Sequence, residues 1–226
     1  MCAGLHCCCK NRYGGVAVSV RVYLFVAHGF EEVETITPLD YLRRAGIALT
    51  LVGVGAEQVV STRGLRVSCD CSLEALCASP GIADAACAAD AVLLPGGLEN
   101  CHTLAACAAV RDFVMRVHLR GGLVAALCAA PARVLSAWNL LGSRRYTCYP
   151  GMEPAVFSAH DDGVGKRTEE EKSRALRKPE RARVVRDGNL LTACAAGAAE
   201  EFSFAVIEAL CGVEVAQSVR AQVVAR

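Results

Sequence analysis

Apolar residues fall in short unbroken runs separated by longer amphipathic or polar stretches. The first run, VAVSVRVYLFVA from Val16 to Ala27, is rich in β-branched and aromatic side chains and ends at His28-Gly29. This is the pattern of a buried strand followed by a turn. Residues 31–45, EEVETITPLDYLRRA, open with acids suited to a helix N-terminus, close with Arg43 and Arg44 suited to its C-terminus, and stop at Gly46. They predict a helix, with Pro38 kinking it or starting a new turn. Strand-like runs recur at 47–54, 65–68, 91–94 and 123–127, with helical patterns between several of them, notably 104–119. Such alternation predicts a doubly wound α/β fold, with a mainly parallel sheet and helices on both faces. A loop follows 144–148. VVRDGNLLT (184–192) then reads as a hairpin turning at Asp187-Gly188, and residues 198–211 as the closing helix.

Two segments break the pattern and set the domain plan. Residues 1–15, MCAGLHCCCKNRYGG, precede the first apolar run and end in a glycine pair, so they read as a Cys-rich extension outside the fold. Their cysteines are open to two readings, an acylation site or a mobile tail; Cys2 stands where N-myristoylation requires glycine. Residues 160–183 are highly charged with almost no apolar side chains, which predicts an inserted loop or solvated helix inside one domain spanning 16–226.

Composition narrows the function classes. A chain of 226 residues, 54% apolar, is long enough for one sizeable core. A net charge of +1 gives no field that would draw nucleic acid or an anionic membrane. No apolar run reaches about eighteen residues and no signal-peptide pattern is seen, so a cytoplasmic protein without stable membrane association is expected. Fourteen cysteines suit free thiols, most of them acting as small buried hydrophobes, more than a disulfide scaffold. Zinc-type CxxC pairs are missing: Cys7, Cys8 and Cys9 are contiguous, and Cys69 and Cys71 read as one strand and the loop after it. No metal site is expected.

Three segments carry candidate chemistry. In LVAALCAAPARVL (123–135) an apolar strand passes through Cys128 into a short helix-forming stretch, flanked by alanines that permit a tight turn. A nucleophile elbow needs that geometry, and a helix N-terminus there would favour a thiolate, making Cys128 the most acidic thiol. Spacing alone also fits an inert thiol at a strand end. Pro95-Gly96-Gly97 follows the strand AVLL and would expose N–H groups at the same sheet edge, or be simply a turn. Glu34 lies early in the first helix, again at that edge, or serves only the helix dipole.

Read together, the segments resemble the ThiJ/PfpI superfamily and its parkinsonism-associated deglycase branch. The resemblance runs from Val20 to Val224 and rests on AHGFEEVET (27–35), YLRRAGI (41–47), VLLPGG (92–97), AALCAAPA (125–132), TCYPGME (147–153) and EEFSFAVIEAL (200–210). It implies a flavodoxin-like, class I glutamine amidotransferase-like fold. It also implies an oxidisable nucleophile at Cys128, a paired carboxyl at Glu34, oxyanion donors at Gly97 and Ala129, pocket positions at Arg63 and Tyr149, and a homodimer contacting through the first helix. Ala129 stands where the intracellular-protease branch carries histidine, Tyr149 where some deglycases carry a pocket histidine, and Cys194 where some relatives carry arginine.

Two functions follow from the resemblance. One is a cofactor-independent glyoxalase or deglycase acting on methylglyoxal, glyoxal or their adducts, with Glu34 shuttling a proton and largely protonated while Cys128 is ionised. The other is a redox sensor or oxidation-regulated chaperone with little turnover. Thiamine-phosphate chemistry lacks support, since no GxxxxGK[ST] loop is present.

Overall fold

The computed structural model describes residues 20–78, 81–153 and 179–225. The N-terminal extension, residues 16–19 of the predicted first strand and 160–178 of the charged insert lie outside the described residues. Seven strands, β1 (Arg21–Val26), β2 (Ala48–Gly53), β5 (Cys71–Ser72), β6 (Ala91–Leu94), β7 (Leu123–Leu127), β8 (Val184–Asp187) and β9 (Leu190–Ala193), form one sheet in the order β5-β2-β1-β6-β7-β9-β8. All its pairings are parallel except β8 with β9. A separate antiparallel hairpin joins β3 (Gln58–Val60) to β4 (Arg66–Ser68).

Both faces of this sheet are covered, which is why its strands read as continuous apolar runs. Side chains alternate: Phe25, Val92, Leu94, Val124 and Ala126 enter one core, while Val22, Leu24, Leu93, Leu123 and Leu127 enter the other. The first core packs under α2 (Leu73–Ala78), α3 (Ile82–Ala88), α4 (Leu98–Ala106) and α5 (Ala108–Leu119), whose Phe113 meets Tyr23 and Phe25 edge-on at centroid distances of 5.0 and 5.1 Å. Each such aromatic contact adds about 0.5–1.5 kcal/mol beyond area burial. The second core packs under α1 (Glu32–Arg44), α6 (Ala199–Cys211) and α7 (Val213–Gln222). With β2 on one side of β1 and β6 on the other, strand order reverses between β1 and β6. That is the switch point where open α/β sheets bind ligands.

Several expectations need correcting. The helix predicted over 104–119 is two helices, because Cys107 is extended (φ −85°, ψ 105°) and its N–H turns back to Leu104 O. The surrounding alanines carry too little hydrophobic contrast to mark the break. Pro38 does not start a new turn but lies inside α1, where it removes the N–H that would reach the Glu34 carbonyl. The hairpin turns at Gly188-Asn189, since Asp187 still pairs with Leu190; Gly188, at φ 60°, takes the first central position of a type II′ turn. Cys71 forms an edge strand instead of a loop, and β3, α2, α3 and α7 carry no clear periodic signal. The cysteines among the described residues are free, but only Cys69, Cys101 and Cys148 are buried.

Residues 180–183, at the end of the charged segment, bond to the domain. Glu180 N–H donates to Tyr146 O at 2.8 Å, Thr147 Oγ1 donates to Ala182 O at 2.9 Å, and Arg183 pairs with Glu201 at 2.7 Å. Main-chain groups, which composition does not register, tie these residues to the domain. A deletion of 160–183 is therefore expected to melt at lower temperature than a deletion of 160–178, as read by circular dichroism; equal melting temperatures would show that these bonds add nothing.

Candidate active site

Three loops leave the sheet at one edge and meet. β7 ends at Cys128, whose φ of 60° is unusual for a residue with a side chain. The conformation is held from both sides: Cys128 N–H donates to Ala193 O and Cys128 O accepts from Tyr149 N–H, each at 2.8 Å. Backbone strain imposed this way at a strand end has the geometry of a nucleophile elbow. After β1 the chain turns at His28-Gly29 and leads into α1, where Glu31 caps the helix by accepting the Glu34 N–H at 2.9 Å. That cap sets Glu34 in the first turn, 1% exposed, with its carboxyl at the sheet edge.

Gly96, after β6, joins the two. Its N–H donates to Glu34 Oε2 at 2.7 Å, and a Cβ there would lie 2.5 Å from that oxygen and 2.8 Å from Cys128 Cβ. Only glycine permits the carboxyl and the thiol to share this space. Glu34 Oε1 is buried without a partner of good hydrogen-bond geometry, although the Cys128 thiol and the Ala196 N–H both lie against the carboxyl. Sequence reasoning singles out Gly97, whereas the glycine that touches Glu34 is Gly96; two glycines directly after a strand-ending proline were the available signal. Gly97 lines the cleft, and no acceptor among the described residues takes its N–H. The Ala129 N–H faces the Cys128 sulfur.

The cleft around these groups has a volume of about 810 Å³ and is lined by Cys128, Glu34, Gly97, Ala129, Arg63 and Tyr149, so every predicted site residue reaches it. It is also lined by His28, Glu31 and Glu99, which carried no motif. Arg63 arrives on the β3–β4 hairpin, docked by Gly29 N–H to Val60 O at 2.8 Å and by Ser61 Oγ to Glu32 Oε1 at 2.5 Å. Its guanidinium lies 3.4 Å from both Glu31 and Glu32 and is largely exposed, a weak pairing.

Electrostatics depart from expectation at the thiol. Burial, foremost, pushes the Glu34 carboxyl up to about 7, partly offset by the Cys128 and Gly96 hydrogen bonds. Burial and then the Glu34 charge also push the Cys128 thiol up, so it is not the acidic thiol that an elbow over a helix N-terminus predicts. The helical segment behind it, Pro131–Leu135, is a single π-turn with little dipole to offset burial. Both groups are thus protonated below about 7; above it the carboxyl ionises first and the sulfur keeps its proton, the reverse of a protonated Glu34 beside an ionised Cys128.

An acid whose pKa rises on folding binds its proton more tightly in the folded state. The stability it contributes is complete below the unfolded value of 4.5 and lost as pH rises through about 7. Relative to Glu34→Gln, the wild-type protein is therefore expected to lose melting temperature between pH 4.5 and 7. Parallel melting curves across that window would refute the buried, proton-holding carboxyl.

Comparison with known proteins agrees with this architecture. The DJ-1/PfpI family pattern matches residues 20–209, and the chain belongs to that family. The Parkinson disease protein 7 homolog of Danio rerio is 34% identical over 205 residues, covering 90% of this chain and 96% of the relative. The glutathione-independent glyoxalase DJR-1.2 of Caenorhabditis elegans is 27% identical over 187 residues, 81% of this chain and 84% of the relative. The crystal structure of Drosophila melanogaster DJ-1beta superposes with a TM-score of 0.75 at 30% identity, covering 92% of this chain and all of that one. No helix among the described residues is long and apolar enough to cross a membrane.

Proposed function

We propose that this member of the DJ-1/PfpI family is a cofactor-independent, glyoxalase- or deglycase-like enzyme that acts on methylglyoxal, glyoxal or their adducts. The observation that carries the reading is the Cys128 thiol and the Glu34 carboxyl wedged against Gly96, with the carboxyl titrating near neutrality. A general acid–base works best with a pKa near the working pH. The name of the Caenorhabditis elegans relative, a glutathione-independent glyoxalase, supports the same chemistry.

The steps balance without an external oxidant or reductant. Sulfur adds to the aldehyde carbon, the C=O π pair moves to oxygen, and the thiol proton reaches that oxygen through Glu34. Gly97 and Ala129 N–H groups hold the developing oxyanion. Ionised Glu34 then removes the hydrogen from the sulfur-bearing carbon, the C–H pair becomes the C=C bond, and the ketone π pair takes a proton from water, forming an enediol. Glu34 returns its proton to the adjacent carbon while the hydroxyl on the sulfur-bearing carbon gives its proton back to water, and the C=O reforms beside sulfur as a lactate thioester. Water cleaves the C–S bond, giving lactate and the free thiol. The proposal includes a cytoplasmic homodimer, with Val33, 48% exposed on α1, as apolar contact surface.

A second reading is oxidation sensing, favoured by the carboxyl proton available beside a half-buried sulfur. Peroxide transfers one oxygen to sulfur and releases water, once for the sulfenic and again for the sulfinic acid, which Glu34 can hydrogen-bond. Pure protein incubated with methylglyoxal separates the two: enzymatic lactate supports the first. No lactate, with sulfinate confined to Cys128 after peroxide, supports the second.

A further inference from the structure

Where β1 and β6 part, three main-chain groups lose their ladder partners. The register that pairs Leu24 with Leu93 would, if continued, set Ala27 opposite Gly96, but Pro95 has no N–H to donate and the chain turns away. Ala27 N–H, Pro95 C=O and Gly96 C=O are left at this fork. Asn100, in the first turn of α4 and wholly buried, meets all three. Its Oδ1 accepts from Ala27 N–H at 2.7 Å, and its Nδ2 donates to Pro95 O at 2.9 Å and to Gly96 O at 3.0 Å. A carboxamide is a peptide group in miniature, and here it replaces the missing strand residue.

The consequence lies on the other side of each peptide plane. In a planar trans unit the C=O and the N–H point in opposite directions. Holding Pro95 C=O on Asn100 therefore aims the Gly96 N–H the other way, where it meets Glu34 Oε2 at 2.7 Å. Holding Gly96 C=O on Asn100, with help from Glu31 N–H at 3.3 Å, turns the Gly97 N–H away from that bond and towards the cleft that Gly97 lines. Glycine peptides have no Cβ to resist a flip, so the restraint must come from outside. We infer that Asn100 is a positioning residue that locks two successive peptide planes, one serving Glu34 and the other presenting the Gly97 N–H to the bound oxygen.

The first half of this inference is independent of turnover; the second rests on the proposed oxyanion role of Gly97. In the full chain, alkylation of Cys128 by iodoacetamide, followed across pH by peptide mass spectrometry, reads the Glu34–Cys128 pair directly. Asn100→Ala is expected to raise the midpoint by about half a pH unit or more, because a donor that favours ionised Glu34 is released. The same substitution in a Glu34→Gln background is expected to leave the midpoint in place. An unchanged midpoint in folded Asn100→Ala, even with a lowered melting temperature, overturns the inference. Should that variant not fold, wild-type protein still decides: NMR couplings across hydrogen bonds from the Asn100 side-chain nitrogen to the Pro95 and Gly96 carbonyl carbons are expected, and their absence overturns it. If wild type forms lactate, Asn100→Ala is expected to lower kcat about tenfold or more with little change in KM. Absence of lactate in wild type refutes the proposed enzyme while the alkylation result still decides the role of Asn100.

Discussion

Cys128→Ser is expected to reduce lactate formation from methylglyoxal by at least about a thousandfold. Serine is nearly the same size, and the elbow is set by main-chain bonds to Ala193 and Tyr149, so the fold and cleft should persist. What changes is the nucleophile. A hydroxyl holds its proton far more tightly than a thiol, and the Glu34 carboxyl beside it titrates near 7, too weak a base to ionise an alcohol. Circular dichroism should show the wild-type melting curve while a coupled lactate assay reads background. Turnover surviving in this variant would remove Cys128 from the chemistry and leave the elbow without a catalytic role.

Glu34→Gln is expected to cost roughly a hundredfold or more in rate. Glutamine keeps the shape and can still accept the Gly96 N–H, but it cannot carry a proton from one carbon to the next. The wild-type rate should also rise as pH climbs through about 7, because the enediol step needs ionised Glu34, and that limb should vanish in the variant. Oxidation discriminates the second reading: a sensor would retain peroxide oxidation of Cys128 in Glu34→Gln with an altered sulfinate yield. Full activity of Glu34→Gln towards methylglyoxal would falsify the proton-shuttle role even with the family and Cys128 secure.

The sequence by itself determined the alternation of strands and helices, because a sheet covered on both faces must be built from short apolar runs and its helices from amphipathic ones. It likewise identified the segments ending at Cys128, Glu34 and Pro95-Gly96-Gly97, since strand ends in such a sheet lie along one edge. What stayed hidden was short or depended on contacts between distant segments. The β3–β4 hairpin that brings Arg63 to the cleft is anchored by main-chain bonds to Gly29 and Phe30, which no periodicity encodes. Asn100 is polar on an ordinary helix until the fork between β1 and β6 gives its amide three partners. The acidity expected of Cys128 assumed a helix dipole acting on an accessible thiol. The tertiary structure instead buries the sulfur against a second acid and puts only one π-turn behind it. A pKa is a property of the surroundings, and only the folded chain brings those surroundings together.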